Sequence, residues 1–568
     1  MLRGIPVSEG IGIGRAYVIG KQEIKAKSET VTDPENEKKR FHDAVDAFCV
    51  RTEKLAQKME ESVAAKEAEI IRGHMIMLQD PYMISQVEEK IDAGVCAESA
   101  CSEVLDMFMG MFSAAEDELI RQRVADIEDI KSRLLQILSG NEGADLSEIP
   151  CGSILVTEEL TPSMTAEMNS ENIAGIVTEK GGMTSHSAIL TRSLELPAVL
   201  SVPGALEAIA DGMTVIVDGS EGEVLAEPDE ETLKAFDAKQ QAFASEKRIL
   251  ARYRGKSTVT ADGLRKEVCC NIGSVKDAVA AAEKDGEGIG LFRTEFLFME
   301  SDSAPDEEKQ FEVYKKTVQL FKGKSVIIRT LDAGGDKGIE YLGMKKEENP
   351  FLGFRAIRYC LDDGRQVFET QLRALVRASA FGNIKVMIPL VTNVEEIRSA
   401  RKMTAEIMEE FDREGITYDK DMQIGIMVET PAACMLADVL AKESDFFSIG
   451  TNDLTQYTMA ADRGNPQVAY LNNTYQPAVL RAVRHIIKSA RSAGIPVGMC
   501  GEAAADPLLT PLLISFGLDE FSVNPTSVLR TRYNISKWNG EAADAVAEKA
   551  MALTTADEVK KYLKEACK

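Results

Sequence analysis

"IGIMVETPAACMLADVLAKESDFFSIGTND", residues 424–453, holds two short apolar runs of strand length separated by helical text. The first run closes on Glu429 and the second on Asn452 and Asp453, so each changes from apolar to polar at its C-terminal end. Reading outward, the same unit recurs. "KEVCCNI", "GIGLFRTE", "SVIIRTLD", "KVMIPLV", "IGIMVET", "FFSIGTND", "IPVGMCGE" and "DEFSVNP" are strand-like, with helical text between most of them. Strands alternating with helices imply a parallel sheet, and eight such units predict a closed (β/α)8 TIM barrel. The connection from Asp332 to Lys385 is long and must carry extra loop structure.

Polar residues fall where such a barrel places its chemistry. Arg293, Arg329, Glu429, Asn452, Asp453, Cys500 and Glu502 all lie at or just past the C-terminal ends of their runs, the face on which these barrels build active sites. Taken singly, each has an ordinary explanation: a solvated arginine, a carboxylate capping a loop, a cysteine used as packing. Converging on one rim, they describe a site for a small phosphorylated carboxylate. Arginines offer forked donors to phosphate and carboxylate, and Glu429 and Asp453 offer hard oxygen ligands to Mg²⁺.

Upstream the texture changes. Residues 1–20 alternate as a strand. From about Lys21 to Leu138 the text is rich in Ala, Glu, Lys and Met with almost no Gly or Pro, which predicts a helical bundle. Short β-branched runs return from Cys151 ("GSILVTE", "IAGIVTE", "TVIVDG"), predicting an α/β domain whose sheet residues 1–20 join, with the bundle as an insertion. The expected organisation is therefore multidomain: an α/β domain of residues 1–20 plus 145–227, an inserted helical domain of 21–144, a linker helix of 228–255 and the barrel of 256–568.

Only four histidines occur in 568 residues, and one stands in "GGMTSHSAIL", residues 181–190. Gly181 and Gly182 permit a sharp turn, and the apolar run that follows reads as a helix with His186 at its head. A helix N-terminus stabilises an attached phosphoryl group, and a neutral imidazole nitrogen is a usable nucleophile, although a capping role alone would also suit the position. His42, His74 and His485 read as surface or packing residues.

With 66 Lys+Arg against 92 Asp+Glu the formal net charge is −26, which repels nucleic acid and anionic lipid. The first twenty residues lack a signal peptide's apolar core, and no run approaches the ~20 apolar residues of a spanning helix, so a cytoplasmic location is expected. The ten cysteines are scattered without a CxxC pair, against both a disulfide framework and a zinc site.

Eight stretches, in order, carry a family resemblance: "GIPVSEGIGIGRAYV", "GGMTSHSAILTRSLELPAVL", "GIGLFRTEFLFM", "VIIRTLDAGGDKG", "NPFLGFRAIR", "GIMVETPAA", "IGTNDLTQYTMAADRGNP" and "GMCGEAAAD". Together they resemble the motifs of Enzyme I of the bacterial phosphoenolpyruvate-dependent sugar phosphotransferase system, over essentially the whole chain. The resemblance implies that His186 takes the phosphoryl group from phosphoenolpyruvate and passes it to a histidine of the phosphocarrier protein HPr, which docks on the helical insert. It further implies substrate binding by Arg293, Arg329, Asn452, Asp453 and Arg463, Mg²⁺ binding by Glu429 and Asp453, proton donation by Cys500, and a homodimer joined through the barrel. Three positions depart from the family pattern: Met183, Met164 in "LTPSMTAEM", and the looser "LNNTYQPAVL". GGMTSH is the form seen in pyruvate phosphate dikinase, which is the alternative enzyme; a phosphorylatable regulator without steady turnover is the alternative from another class.

Overall fold

The computed structural model describes residues 1–20, 31, 33–61, 65–113, 123–140, 146–182, 186–194, 196–299, 301–334, 339–345 and 347–568. The chain divides into two compact units, Met1–Lys247 and Arg248–Lys568.

In the first unit the N-terminal segment forms three strands rather than one: β1 (Leu2–Arg3), β2 (Ile5–Ser8) and β3 (Ile11–Ile19). Glycines make the breaks. A Cβ on Gly4 would lie 2.4 Å from the carbonyl oxygen of Leu200, and Gly10 has φ +128°, a conformation that L side chains rarely adopt. With β4 (Ser153–Thr157), β5 (Ile173–Thr178), β6 (Ala198–Leu200), β7 (Thr214–Asp218) and β8 (Glu223–Ala226) these strands build one mixed sheet, ordered β1-β8-β7-β3-β4-β5-β6-β2. β3, β4, β5 and β6 run parallel, and β7 and β8 pair antiparallel along the other edge.

Between β3 and β4 the chain is helical over Pro34–Glu61, Ala65–Leu78, Pro81–Asp92, Ala97–Ser113 and Val124–Ser139. Their apolar stripes share one core around Phe41, Phe48, Ile91, Val104, Ile130 and Leu134. Asp80 caps the helix that begins with Pro81, accepting from the backbone N–H groups of Tyr82 and Met83. His74 is not an ordinary packing residue. It is fully buried, with ring nitrogens 3.6 Å from Asp126 Oδ1 and 3.5 Å from Asp129 Oδ2, whereas His42 is exposed and pairs with Glu88. The helix Glu230–Ala251, which buries none of its residues, spans the division between the units.

The second unit is the expected barrel. β9 (Glu267–Ile272), β10 (Ile289–Arg293), β11 (Val326–Arg329), β12 (Ile384–Ile388), β13 (Gln423–Val428), β14 (Phe447–Ile449), β15 (Val497–Met499) and β16 (Glu520–Val523) are all parallel, and β16 closes on β9. The period of two along a strand separates two cores. Val326, Ile328, Ile424, Ile426, Val428, Val497 and Met499 face outward beneath the helices, while Leu291, Ile327, Met387, Met427, Phe446 and Cys500 form a plug inside the barrel.

Nine of the ten cysteines pack at least partly into the structure; Cys151, in the turn before β4, is exposed, and all ten are free thiols. No helix among the described residues is long and apolar enough to cross a membrane.

Candidate active site

Strand parity decides which side chains meet above the plug. Ile327 faces inward on β11, so Arg329, two residues on, does too; Met427 on β13 is followed by Glu429 in the same sense, and Leu291 on β10 by Arg293. Cys500, just past β15, belongs to the plug itself. Four of the expected residues therefore converge at the C-terminal mouth of the barrel because each continues an inward-facing row.

The electrostatics are dense. Arg329 is buried and donates from Nη2 to Glu295 Oε1 at 2.8 Å, while the same nitrogen stands 3.2 Å from Asp332 Oδ2. Glu429 is buried and accepts from the Leu390 backbone N–H at 2.7 Å. Burial above all, then the negative charges of Asp453 and Asp332, pushes the Glu429 carboxyl up to about 8 against the pull of Arg329. Burial likewise pushes the Cys500 thiol up to about 11, with Ser448 and the Arg329 and Arg293 charges drawing it the other way. Cys500 Sγ lies 3.8 Å from the carbonyl oxygen of Ile449.

The helix Thr451–Met459 carries Asn452 and Asp453 in its first turn. Asp453 is buried and accepts from Arg463 Nη1 through Oδ1 at 2.9 Å. Asn452 accepts from the Glu502 backbone N–H at 3.4 Å; the Glu502 side chain is exposed, so at this position the main chain, not the carboxylate, enters the rim. Gly501 does not leave open room beside Cys500. A Cβ there would stand 1.8 Å from Thr451 Oγ1, so the space is filled by the helix that bears Asn452 and Asp453.

Three residues not singled out from the sequence complete the rim. Glu295, Asp332 and Arg355 are each about 99 % buried, and Arg355 Nη2 donates to Asp332 Oδ1 at 2.5 Å. Glu295 and Asp332 close the strand texts "GIGLFRTE" and "SVIIRTLD", but no local pattern marks their burial. Leu390, Ala356 and Ala460, all in loops next to these residues, hold positive φ values of 54°, 52° and 51° without being glycine. Such conformations persist where the surroundings over-determine them, which functional rims do. Glu295 Oε2, Arg329 Nε, Arg355 Nε and Thr451 Oγ1 are buried without a hydrogen-bond partner among the described residues.

A second acidic cluster lies at the opposite mouth. Glu267, Cys269 and Glu520 face inward at the N-terminal ends of β9 and β16, with ligand atoms within 4.8 Å of one another, a group that could hold a metal ion. Glu520 is pushed up to about 7 by burial and by the charge of Glu267.

His186 belongs to the other unit. It is the first residue of the helix His186–Ser193, which follows β5 through Gly181, at φ +104°. Ser187, buried, donates to the Leu160 carbonyl at 2.9 Å and anchors that helix. Met183, Thr184 and Ser185 lie outside the described residues. Met164 is half-buried in the core beside β4 and β5, so an apolar side chain suits its place.

Three family models match: the PEP-binding domain of PEP-utilising enzymes at residues 247–539, their N-terminal domain at 3–123, and their mobile domain at 149–222. The phosphoenolpyruvate-protein phosphotransferase of Bacillus subtilis is 43% identical over 568 residues, covering 100% of both chains. Those of Priestia megaterium and Staphylococcus carnosus are each 42% identical, covering 99% of this chain and 98% of their own. Sequence kinship along its entire length, a closed parallel barrel and an arginine and carboxylate rim at the barrel's C-terminal mouth lead to one assignment: the chain belongs to the PEP-utilising enzymes and, within them, to the phosphoenolpyruvate-protein phosphotransferases, the Enzyme I family of transferases.

Proposed function

We propose that the protein transfers the phosphoryl group of phosphoenolpyruvate to its own His186 and then to a histidine of HPr, releasing pyruvate. The observation that carries this reading is the inward convergence of Arg293, Arg329, Glu429 and Cys500 above the barrel plug, beside Asn452, Asp453 and Arg463. Arginines there bind the phosphate and carboxylate of the donor and hold it in line for attack. An imidazole nitrogen of His186 forms the new N–P bond as the bond from phosphorus to the bridging oxygen breaks, and the electron pair passes to the enolate. Cys500 gives its proton to the methylene carbon, which makes pyruvate and draws the transfer forward; the thiolate regains a proton from water. A thiol pushed up to about 11 is fully protonated at neutral pH, as a proton donor must be.

Glu429 and Asp453 fit Mg²⁺. Both are buried oxygen donors, and their mutual repulsion is what a divalent cation relieves. Bound there, the ion would neutralise phosphate charge during transfer. The domain roles follow the same reading: residues 1–20 plus 145–227 carry the phosphohistidine, 21–144 receive HPr, 228–255 link, and 256–568 bind phosphoenolpyruvate. Exposed Ile76, Tyr82, Met107 and Met111 on the helical insert support a protein-docking surface. Exposed Met435, Leu436 and Val439, on the short helices just after Glu429, support a homodimer through the barrel unit. A full-length relationship to phosphotransferases favours this reading over a dikinase, and the protein would work in the cytoplasm.

The test is a steady-state assay with excess HPr and phosphoenolpyruvate. Wild-type protein should release pyruvate continuously and label HPr, and His186→Ala should do neither while still binding phosphoenolpyruvate. Acid-labile label on the His186→Ala chain itself would overturn the assignment of the acceptor.

A further inference from the structure

We propose that Asp332 and Arg355 are positioning residues that set the metal affinity of Asp453 and the orientation of Arg329; this rests on the reading of Glu429 and Asp453 as metal ligands.

Six side chains form a row of alternating charge along the rim. Glu295 meets Arg329 at 2.8 Å, Arg329 meets Asp332 at 3.2 Å, Asp332 meets Arg355 at 2.5 Å, Arg355 meets Asp453 at 3.8 Å, and Asp453 meets Arg463 at 2.9 Å. Asp332 and Arg355 are the two middle members, each 1 % exposed, as is Glu295 at one end of the row. Neither carries its charge into the interior without compensation, because an unpaired buried charge is far costlier than a paired one.

The backbone around Arg355 shows how firmly it is held. Gly334 has φ +108° where a Cβ would stand 2.6 Å from Arg355 Cβ, and the next residue, Ala356, holds φ 52°. The Tyr457 hydroxyl accepts from Arg355 Nη1 at 3.5 Å, and the Phe351 ring lies 5.9 Å from the guanidinium.

The unequal distances carry the argument. Both Asp453 oxygens face guanidinium groups, Oδ1 that of Arg463 and Oδ2 that of Arg355. A cation arriving at Asp453 must therefore displace or tolerate positive charge. Arg355 is tolerable because it donates to Asp332 instead of Asp453, staying close enough to orient the carboxylate without occupying it. Asp332 is thus the counter-charge that keeps Arg355 from competing with the metal, and through its other oxygen it fixes Arg329.

The test measures Mn²⁺ binding alone, without phosphoenolpyruvate, by electron paramagnetic resonance on the full chain. Asp332→Asn should weaken Mn²⁺ binding by about tenfold or more, because Arg355 then turns to Asp453. The double variant Asp332→Asn with Arg355→Met should recover to within about threefold of wild type, since charge and counter-charge are removed together. Arg355→Met alone should bind Mn²⁺ no more weakly than wild type yet lose about tenfold or more in kcat, separating orientation from affinity, and it serves should Asp332→Asn not fold. Unchanged Mn²⁺ affinity in Asp332→Asn, a double variant weaker than either single one, or unchanged kcat in Arg355→Met would overturn the inference. Absence of Mn²⁺ binding by wild type would instead remove the metal-ligand reading beneath it, and the inference with it.

Discussion

Cys500 packs with Leu291, Ile327, Met387, Met427 and Phe446, so packing alone accounts for its burial, and chemistry must be separated from packing by what its removal does. Cys500→Ala should retain phosphoenolpyruvate affinity and Mg²⁺ dependence while steady pyruvate release falls by orders of magnitude. A packing role predicts only a loss of about 1 kcal/mol in stability with normal turnover per folded molecule. Turnover and melting temperature on one preparation decide between them. The pH profile adds a sign: with the thiol pushed up to about 11, no loss of turnover from its deprotonation is expected near pH 8 or 9. Glu520, at the other mouth, makes an independent prediction. Its folded-state value, about 7, is above the ordinary carboxylate value of roughly 4.3, so the folded chain holds a proton that the unfolded chain has released between those limits. Stability contributed by that proton is complete below about pH 4 and is lost as pH rises toward 7. Glu520→Gln, always neutral, should therefore gain melting temperature relative to wild type on going from pH 5 to pH 8, and a constant difference across that range would show the carboxyl to be ionised throughout.

At the scale of elements, the helix Thr451–Met459 depends on its neighbour. The chain past β15 runs so close to its first turn that Gly501 has no room for a side chain, with Thr451 Oγ1 at 1.8 Å and the Thr451 backbone nitrogen at 2.8 Å from the position of a Cβ. Gly501 has φ −81°, so strain is not the issue; contact is. Gly501→Ala should push that helix outward, moving Asn452 and Asp453, and should cost about tenfold or more in kcat/KM as well as melting temperature. Unaltered kinetics would mean that the helix end adapts freely. This contact also marks where sequence reading stops. The eight barrel strands were legible because each is a β-branched or apolar run, most of them separated by helical text, and Arg329, Glu429 and Cys500 were legible because they sit at or just past the C-terminal ends of their runs. Glu295, Asp332 and Arg355 were not, because their burial comes from partners up to 102 residues away in the chain, from Arg355 to Tyr457, and no local pattern records such a meeting. The split of residues 1–20 into three strands had the same cause: Gly4 is required by the approach of Leu200, which lies across the sheet. His74 read as packing because a histidine ahead of an apolar run gives no sign of Asp126 and Asp129 on another helix.

For the whole molecule, the division after Lys247 and the two sets of cores make the chain separable in principle. The cores around Ile130, Val177 and Leu155 lie within residues 1–247, and those around Val386 and Met427 lie within 248–568. The helix that spans the division buries none of its residues, so cutting there exposes little apolar surface. A fragment of residues 1–247 should fold and exchange phosphoryl groups with phosphorylated HPr, yet be inert toward phosphoenolpyruvate. The fragment 248–568 should bind phosphoenolpyruvate with Mg²⁺ and release no pyruvate. Direct labelling of the first fragment by phosphoenolpyruvate would remove the barrel as the substrate site. Mixing the two fragments tests the coupling between the sites. On the proposed reading, tethering on one chain should present His186 to the barrel at an effective concentration on the order of millimolar. At about micromolar fragment concentrations, turnover in the mixture should therefore fall by roughly a hundredfold to a thousandfold and rise in proportion to whichever fragment is added. A mixture that matched the intact chain at those concentrations would mean that the fragments bind each other tightly, and that the helix Glu230–Ala251 holds nothing together that the two bodies do not hold by themselves.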